Sequence, residues 1–300
     1  VDAELLTVDG KPVLRFERRL AHPPAKVWRA ITDPGELKHW FPAAVSIEGT
    51  RMTFTFPDEA PVDDVSSGEV LTFDEPRVFA FRWNHDVLRF EIVPDGDGCR
   101  LLMTQVLGDG GLSAGRNAIG WDVCLDTLVA RLSDVEFTPP SDWLGPMEAY
   151  VEKFGLGEGA VTPEGVRFER DLVWKPVADM WALLVEDSAV VVGGEPPVRA
   201  TNGYVRPGAV TVADAPHVLE YEWLHSDVVA GRVRWEFRQD PASGTSVTLT
   251  QSVRDKELLP TMLAVWQVQL ELFFAASFGE VRCPWPAERT EELRARYAQR

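Results

Sequence analysis

Cysteine is scarce in this sequence: Cys99, Cys124 and Cys283 are the only three in 300 residues. An odd count at irregular spacing argues against a disulfide framework and fits a reducing compartment. No two form a CxxC pair, so a zinc knuckle is not expected. Histidine is sparse as well. His22, His39, His85, His217 and His225 make no HxH or HExxH pattern, so neither a metal site nor a catalytic set is expected from them. Basic charge is in deficit: 30 Lys and Arg against 47 Asp and Glu give a net charge of −17. Such a chain repels phosphate, which argues against nucleic acid and anionic membrane surfaces as partners. No apolar run approaches the ~20 residues needed to span a bilayer. The opening segment, which begins at Val1 rather than Met, lacks the apolar core of a signal peptide. The expected location is the cytoplasm, and no cofactor-binding motif is found.

What the sequence does have is a long internal repeat. Arg15-Phe16-Glu17-Arg18 returns as Arg167-Phe168-Glu169-Arg170. GEVLTFDEPRVFAFRW, from Gly68 to Trp83, returns as GAVTVADAPHVLEYEW, from Gly208 to Trp223. Thr104-Gln105 matches Thr250-Gln251, and GWDVCLDTL, from Gly120, aligns with VWQVQLELF, from Val265, through Trp121 and Trp266. A period of half the chain is too long for a solenoid repeat, and each half is large enough to bury its own core. Two tandem domains are therefore expected, residues 1–158 and 159–300, joined at the glycine-rich segment Gly155 to Gly159.

Each half reads alike. A strand (Val13 to Leu20) is followed by a short helix (Ala25 to Ile31) and further helical turns (Glu36 to Trp40). Strand-like runs separated by Asp, Gly and Pro turns fill 45–106. A long helix comes next, Ser113 to Leu132 with Trp121, Leu125, Leu128 and Leu132 on one face, then a trailing helix from Asp142 to Phe154. In the second half the long helix runs from Leu259 to Phe278 and is apolar nearly all round, so it must be covered on more than one side. The order implies an α+β class, with a curved antiparallel sheet around the long helix.

The residues FERRLAHPPAKVWRAITDPGELKHWF, the Gly-Glu-Val…Pro-Arg-Val…Trp strand pair, the PDGDGCRLLMTQ hairpin, GWDVCLDTL and DWLGPMEAYVEKFG resemble the Hsp90-ATPase-activator-homologue-like family of the START/Bet v 1-like (SRPBCC) superfamily. They span nearly all of residues 10–155; the second half resembles the family more loosely. The resemblance implies a helix-grip fold with an internal apolar cavity. It does not imply a reaction, because members of the superfamily bind lipids, polyketides or hormones, cyclise polyketides, or support a chaperone.

Strand alternation then selects the inward side chains. In the first half these are Phe54, Phe79, Phe81, Trp83, Phe90, Met103 and Gln105, faced by Trp121 and Leu125 of the helix. Trp40 and Phe41 stand where the resemblance puts the cavity entrance. In the second half they are Tyr221, Trp223, Gln251 and Trp266. His85 and His225 each follow a Trp by two residues and are expected at the cavity rim. Val190 to Gly194 replaces Trp40-Phe41 in the second half, and Phe273 and Phe274 add bulk there, so the first half is expected to hold the more open cavity. The glycine-rich segment Gly108 to Gly115 reads as a mobile loop. Asp58-Glu59 and Asp63-Asp64 read as solvated turns.

The expected function is binding of a small apolar or amphipathic molecule between sheet and helix. The alternatives are an interaction protein for a chaperone ATPase and a polyketide cyclase or aromatase-like enzyme. The oligomeric state is not legible.

Overall fold

The computed structural model describes residues 2–57, 65–186 and 188–300; the acidic pairs at 58–59 and 63–64 lie outside them. The chain divides into two compact units, Val1–Phe154 and Gly155–Arg300.

Unit one opens with a hairpin, β1 (Glu4–Val8) and β2 (Lys11–Leu20). Asp9 and Gly10 both have positive φ, 50° and 75°, the geometry that suits a tight two-residue turn to the twist of its strands. The Asp-Gly pair is a readable hairpin signal, yet the strand expected first from the sequence is the second one here. Helices α1 (Pro24–Thr32) and α2 (Pro34–Leu37) follow. Asp33 starts α2 by accepting the Gly35 N–H at 2.7 Å. The helix ends earlier than expected, and residues 38–43 are turns and bends. Pro42 disfavours a helical conformation at Phe41.

Six further strands are β3 (Ala44–Glu48), β4 (Arg51–Thr55), β5 (Val65–Asp74), β6 (Val78–Trp83), β7 (Asp86–Asp95) and β8 (Gly98–Val106). The antiparallel sheet has the order β1-β2-β8-β7-β6-β5-β4-β3. A register shift between Val70 and Thr72 of β5 marks a bulge against β6, a device that bends a strand and increases its twist. The inner face is apolar, and Phe54, Phe79, Phe81, Phe90 and Met103 are buried on it. Against it lies α3 (Ala114–Leu132), whose buried stripe runs Ala114, Ala118, Trp121, Leu125, Leu128, Leu132, the three- and four-residue spacing of one helix face. Each fully buried large apolar side chain contributes roughly 1.5–3 kcal/mol. Helix α4 (Leu144–Lys153) packs on α3.

Unit two contains β9 (Ala160–Thr162), β10 (Gly165–Asp171), α5 (Val177–Val185), a 3-10 turn at Val198–Ala200, then β11 (Arg206–Asp214), β12 (Val218–His225), β13 (Val228–Asp240) and β14 (Gly244–Ser252). It closes with α6 (Leu259–Ser277) and α7 (Ala287–Tyr297). Its sheet order, β11-β12-β13-β14-β10-β9, matches β5-β6-β7-β8-β2-β1 strand for strand and has no counterpart of β3 and β4 among the described residues. Instead, residues around Gly193 bridge the free edge of β11: Gly193 N–H donates to Val210 O at 2.8 Å and Val210 N–H to Gly194 O at 2.9 Å. Covering an edge in this way protects it from pairing with another chain.

The segment Lys256–Ser277 has the length and composition of a membrane span, which corrects the expectation that no apolar run approaches one. Most of it is buried within the structure. The Phe274 ring lies under the Arg170 guanidinium at 4.3 Å, and Gln269 donates to Arg199 O at 2.7 Å. It is apolar on several faces because unit two covers it on several faces.

Candidate ligand-binding site

Phe41 is the centre of the aromatic interior of unit one. Its ring centroid lies 6.0 Å from Phe54, 6.2 Å from Phe81, 5.4 Å from Trp83 and 5.6 Å from Trp121. The segment between α2 and β3 thus inserts a ring between β4 and β6 on one side and α3 on the other. Trp40 anchors that segment. Its indole N–H donates to Ala30 O at 2.9 Å, and its ring meets Phe90 edge-on at 6.1 Å. Trp83 stacks on Phe54 at 4.6 Å. Phe79 contacts Phe81 at 5.1 Å and, toward α1, Trp28 at 6.5 Å. Met103 and Leu125 are buried on the sheet and the helix. The structure brings the strand and helix residues together, but Trp40 and Phe41 form no entrance: both are buried, and Phe41 occupies the place between the others.

One end of this interior is polar. Gln105 is 3% exposed. Its Oε1 accepts the Trp121 indole N–H at 2.8 Å, and its Nε2 donates to Asp86 Oδ2 at 2.6 Å. The other carboxylate oxygen of Asp86 accepts the Gly108 N–H at 2.8 Å. Burial pushes the Asp86 carboxyl above its ordinary value; the bonds from Gly108 and Gln105 and the charge of Arg116 oppose this, and Asp109 adds to it. Glycine is required at 108, since a Cβ there would fall 2.5 Å from the Cβ of His85. The loop expected to be mobile is tied down by Asp86 and by Asp109, which accepts from Gly111 and Ser113.

Neither of the two histidines expected at the rim reaches into the interior. The β6 strand ends at Trp83, and Asn84 turns with φ 52°. His85 is therefore exposed in the turn, and Asp86 takes the position beside Gln105. His225 is still in β12, but a register shift between Trp223 and Leu224 breaks the alternation, and it too is exposed. Asp86 was missed although its signal was present. It lies two residues before Leu88, the cross-strand partner of Gln105, and so shares its face.

In unit two, Trp235 packs against Trp266 at 6.2 Å and Phe273 at 5.6 Å. Tyr221 donates to Ala200 O at 2.7 Å, as does the Trp235 indole at 3.2 Å. The Val198–Ala200 turn thus reaches the interior, whereas Val191 and Val192 are exposed. Phe273 fills the interior as expected, but Phe274 does not: it faces Arg170 and Phe278. Gln251 Oε1 accepts the Trp266 indole N–H at 2.6 Å. Trp223 turns its N–H to Ser252 O at 2.8 Å.

Among the described residues no group of three or more His, Cys, Asp or Glu could hold a metal ion, and the three cysteines are free thiols. Away from the aromatic interior, an open hollow of about 450 Å³ lies at the end of α3, lined by His39, Arg131, Val135, Glu136 and Phe137 among others.

The antiparallel sheets and the long helices laid on them define an α+β helix-grip fold. Residues 21–133 match the family described as Activator of Hsp90 ATPase homolog 1-like protein. Solved structures similar to the chain include a conserved protein of unknown function from Enterococcus faecalis, at 16% identity and a TM-score of 0.44, covering 51% of this chain and 90% of that one. CalU16 from Micromonospora echinospora is 18% identical with a TM-score of 0.40, covering 51% and 93%. A Mesorhizobium loti protein is 24% identical with a TM-score of 0.35, covering 42% and 99%. A search of curated proteins finds no match.

Proposed function

We propose that unit one binds a small apolar or amphipathic molecule between its sheet and α3, in the place that Phe41 fills here. The observation that carries this reading is the position of Phe41. A single ring on an irregular segment contacts rings from β4, β6 and α3, so moving one side chain uncovers a site already walled by aromatic groups. The polar end at Gln105 and Asp86 supplies a few fixed hydrogen-bonding groups beside apolar walls, the usual composition of a small-molecule site. The family match of residues 21–133 supports the reading, given the ligand-binding members of the superfamily. The strand order of unit two supports its being a second, divergent copy.

Binding of the dye ANS to wild type, Phe41→Leu and Phe41→Ala tests this. The expected result is at least about fivefold tighter binding by the variants, with near-UV circular dichroism retained. Phe41→Ala removes a buried ring at a cost of about 3–5 kcal/mol, which is why the milder Leu variant is included. Equal affinity, or none, in all three folded proteins would sink the proposal. Native mass spectrometry of freshly purified protein would identify any molecule already bound.

A second reading follows from the hollow at the end of α3, where Val135 is 63% exposed. Together with the chaperone ATPase in the name of the matched family, it supports contact with such a partner. An increase in the ATPase rate of purified Hsp90, lost in Val135→Asp, is the expected result. No change in rate would remove this reading.

A further inference from the structure

The two buried glutamines that accept a tryptophan indole N–H, Gln105 and Gln251, differ by one bond. Gln105 uses both ends of its amide, toward Trp121 and Asp86. Gln251, 1% exposed, accepts from Trp266 in the same way, but its Nε2 has no hydrogen-bond partner among the described residues.

Register explains the difference. Gln105 pairs with Leu88, and Asp86 stands two residues before it. Gln251 pairs with Val233, and the residue two before it is Gly231. Among the described residues no carboxylate reaches the second glutamine. The Trp223 indole lies over Gly231 instead, where an added Cβ would fall 2.9 Å from its Nε1. An indole offers no acceptor, and this one directs its N–H to Ser252 O. The Tyr221 hydroxyl donates to Ala200 O, and its oxygen does not accept from the Gln251 amide. Turning the Gln251 amide over would set its NH2 against the Trp266 N–H, donor against donor, so the orientation is fixed. A buried donor without an acceptor destabilises the fold, so an oxygen from outside the chain, a ligand's or a water's, is favoured at this point.

We infer that unit two binds, at Gln251 Nε2, the uncharged oxygen of an apolar ligand: a ketone, ester or quinone-type carbonyl. A carboxylate is disfavoured, because the groups around Gln251 named above carry no positive charge and a buried anion needs one. In unit one Asp86 already holds the corresponding donor, so the two units select differently. The inference rests on the reading of these interiors as binding sites and extends it from unit one to unit two.

The experiment compares 2-acetonaphthone with 2-isopropylnaphthalene, which has the same ring system and no acceptor, by titration calorimetry on the full chain. Wild type is expected to prefer the ketone by about tenfold, with the carbonyl stretch of the bound ketone shifted to lower frequency. Gln251→Leu and Gln251→Met should erase the preference while still binding both probes. If wild type binds both probes equally and the carbonyl stretch does not move, the inference is wrong while the binding reading stands. A preference that survives in either variant overturns the inference in the same way. If neither probe binds, both readings fall. The infrared measurement needs only wild-type protein, so it remains decisive if both variants fail to fold.

Discussion

The Tyr150 hydroxyl is hydrogen-bonded to the carboxylate of Asp122, one residue beyond Trp121, and so ties α4 to α3. The same oxygen accepts the Ala3 N–H at 3.1 Å, which brings in the start of the chain, and Asp122 is also paired with Arg18 of β2 at 2.9 Å. Unit two repeats the arrangement without the charge. Tyr297 of α7 donates to Gln267, one residue beyond Trp266, at 2.6 Å and accepts the Gly159 N–H at 2.9 Å.

The two clasps should therefore differ in strength. Hydrogen bonds to a charged group contribute about 1.5–3 kcal/mol and neutral ones about 0.5–1.5. Tyr150→Phe is expected to destabilise unit one by the larger amount and Tyr297→Phe to destabilise unit two by the smaller. Urea unfolding of each variant measures this. Equal losses would show that the charge of Asp122 adds nothing.

Alkaline pH should loosen both clasps. Burial pushes both phenols up, Tyr150 further through its bond to Asp122 and Tyr297 to about 12. A group whose proton is held more tightly in the folded state stabilises it below the unfolded value, near 10, and loses that contribution as pH rises through the folded one. The urea midpoint of wild type is expected to fall from about pH 10 upward. The fall should be shallower in Tyr150→Phe and Tyr297→Phe, and identical slopes in all three proteins would contradict it.

Asp86 makes an opposite test on the acid side. Its folded pKa is raised, with burial the leading cause. Relative to a neutral residue it is least favourable at neutral pH, and it gains as pH falls through its folded value toward the ordinary 3.8. Asp86→Asn removes that dependence, and its single oxygen replaces the two that serve Gly108 and Gln105. The stability difference, wild type minus variant, should therefore rise as pH drops from about 6 to about 4. A difference that is flat or falls over that range would show that Asp86 is not held above its ordinary value.

Gly231 lets Trp223 take its position. An added Cβ would lie 2.4 Å from Ser252 Oγ and 2.9 Å from Trp223 Nε1. Gly231→Ala is expected to displace the indole, weaken its bond to Ser252 and cost about 1–3 kcal/mol through overpacking. A changed tryptophan emission spectrum in folded protein would accompany it. Unaltered stability and emission would mean that the indole has free space.

The sequence by itself determined the α+β class, the strand-rich middle of each half and the single buried face of α3. These depend on period-2 and 3.6-residue patterns, which are local and persist whatever the element packs against. It also selected the aromatic side chains that meet in unit one, because alternation along a strand decides which side they share. Tertiary structure alone decided what those side chains do on arrival. Phe41 fills the centre because of the path taken by an irregular segment, which no periodicity encodes. His85 and His225 are exposed because a turn and a register shift ended the alternation assumed for them. Whether the buried glutamine amide is satisfied, as Gln105 is by Asp86, or keeps a spare donor, as Gln251 does beside Gly231, depends on which residue strand pairing sets near it. Such pairing joins residues far apart in the chain, and the physical content of the site lies in those long-range contacts.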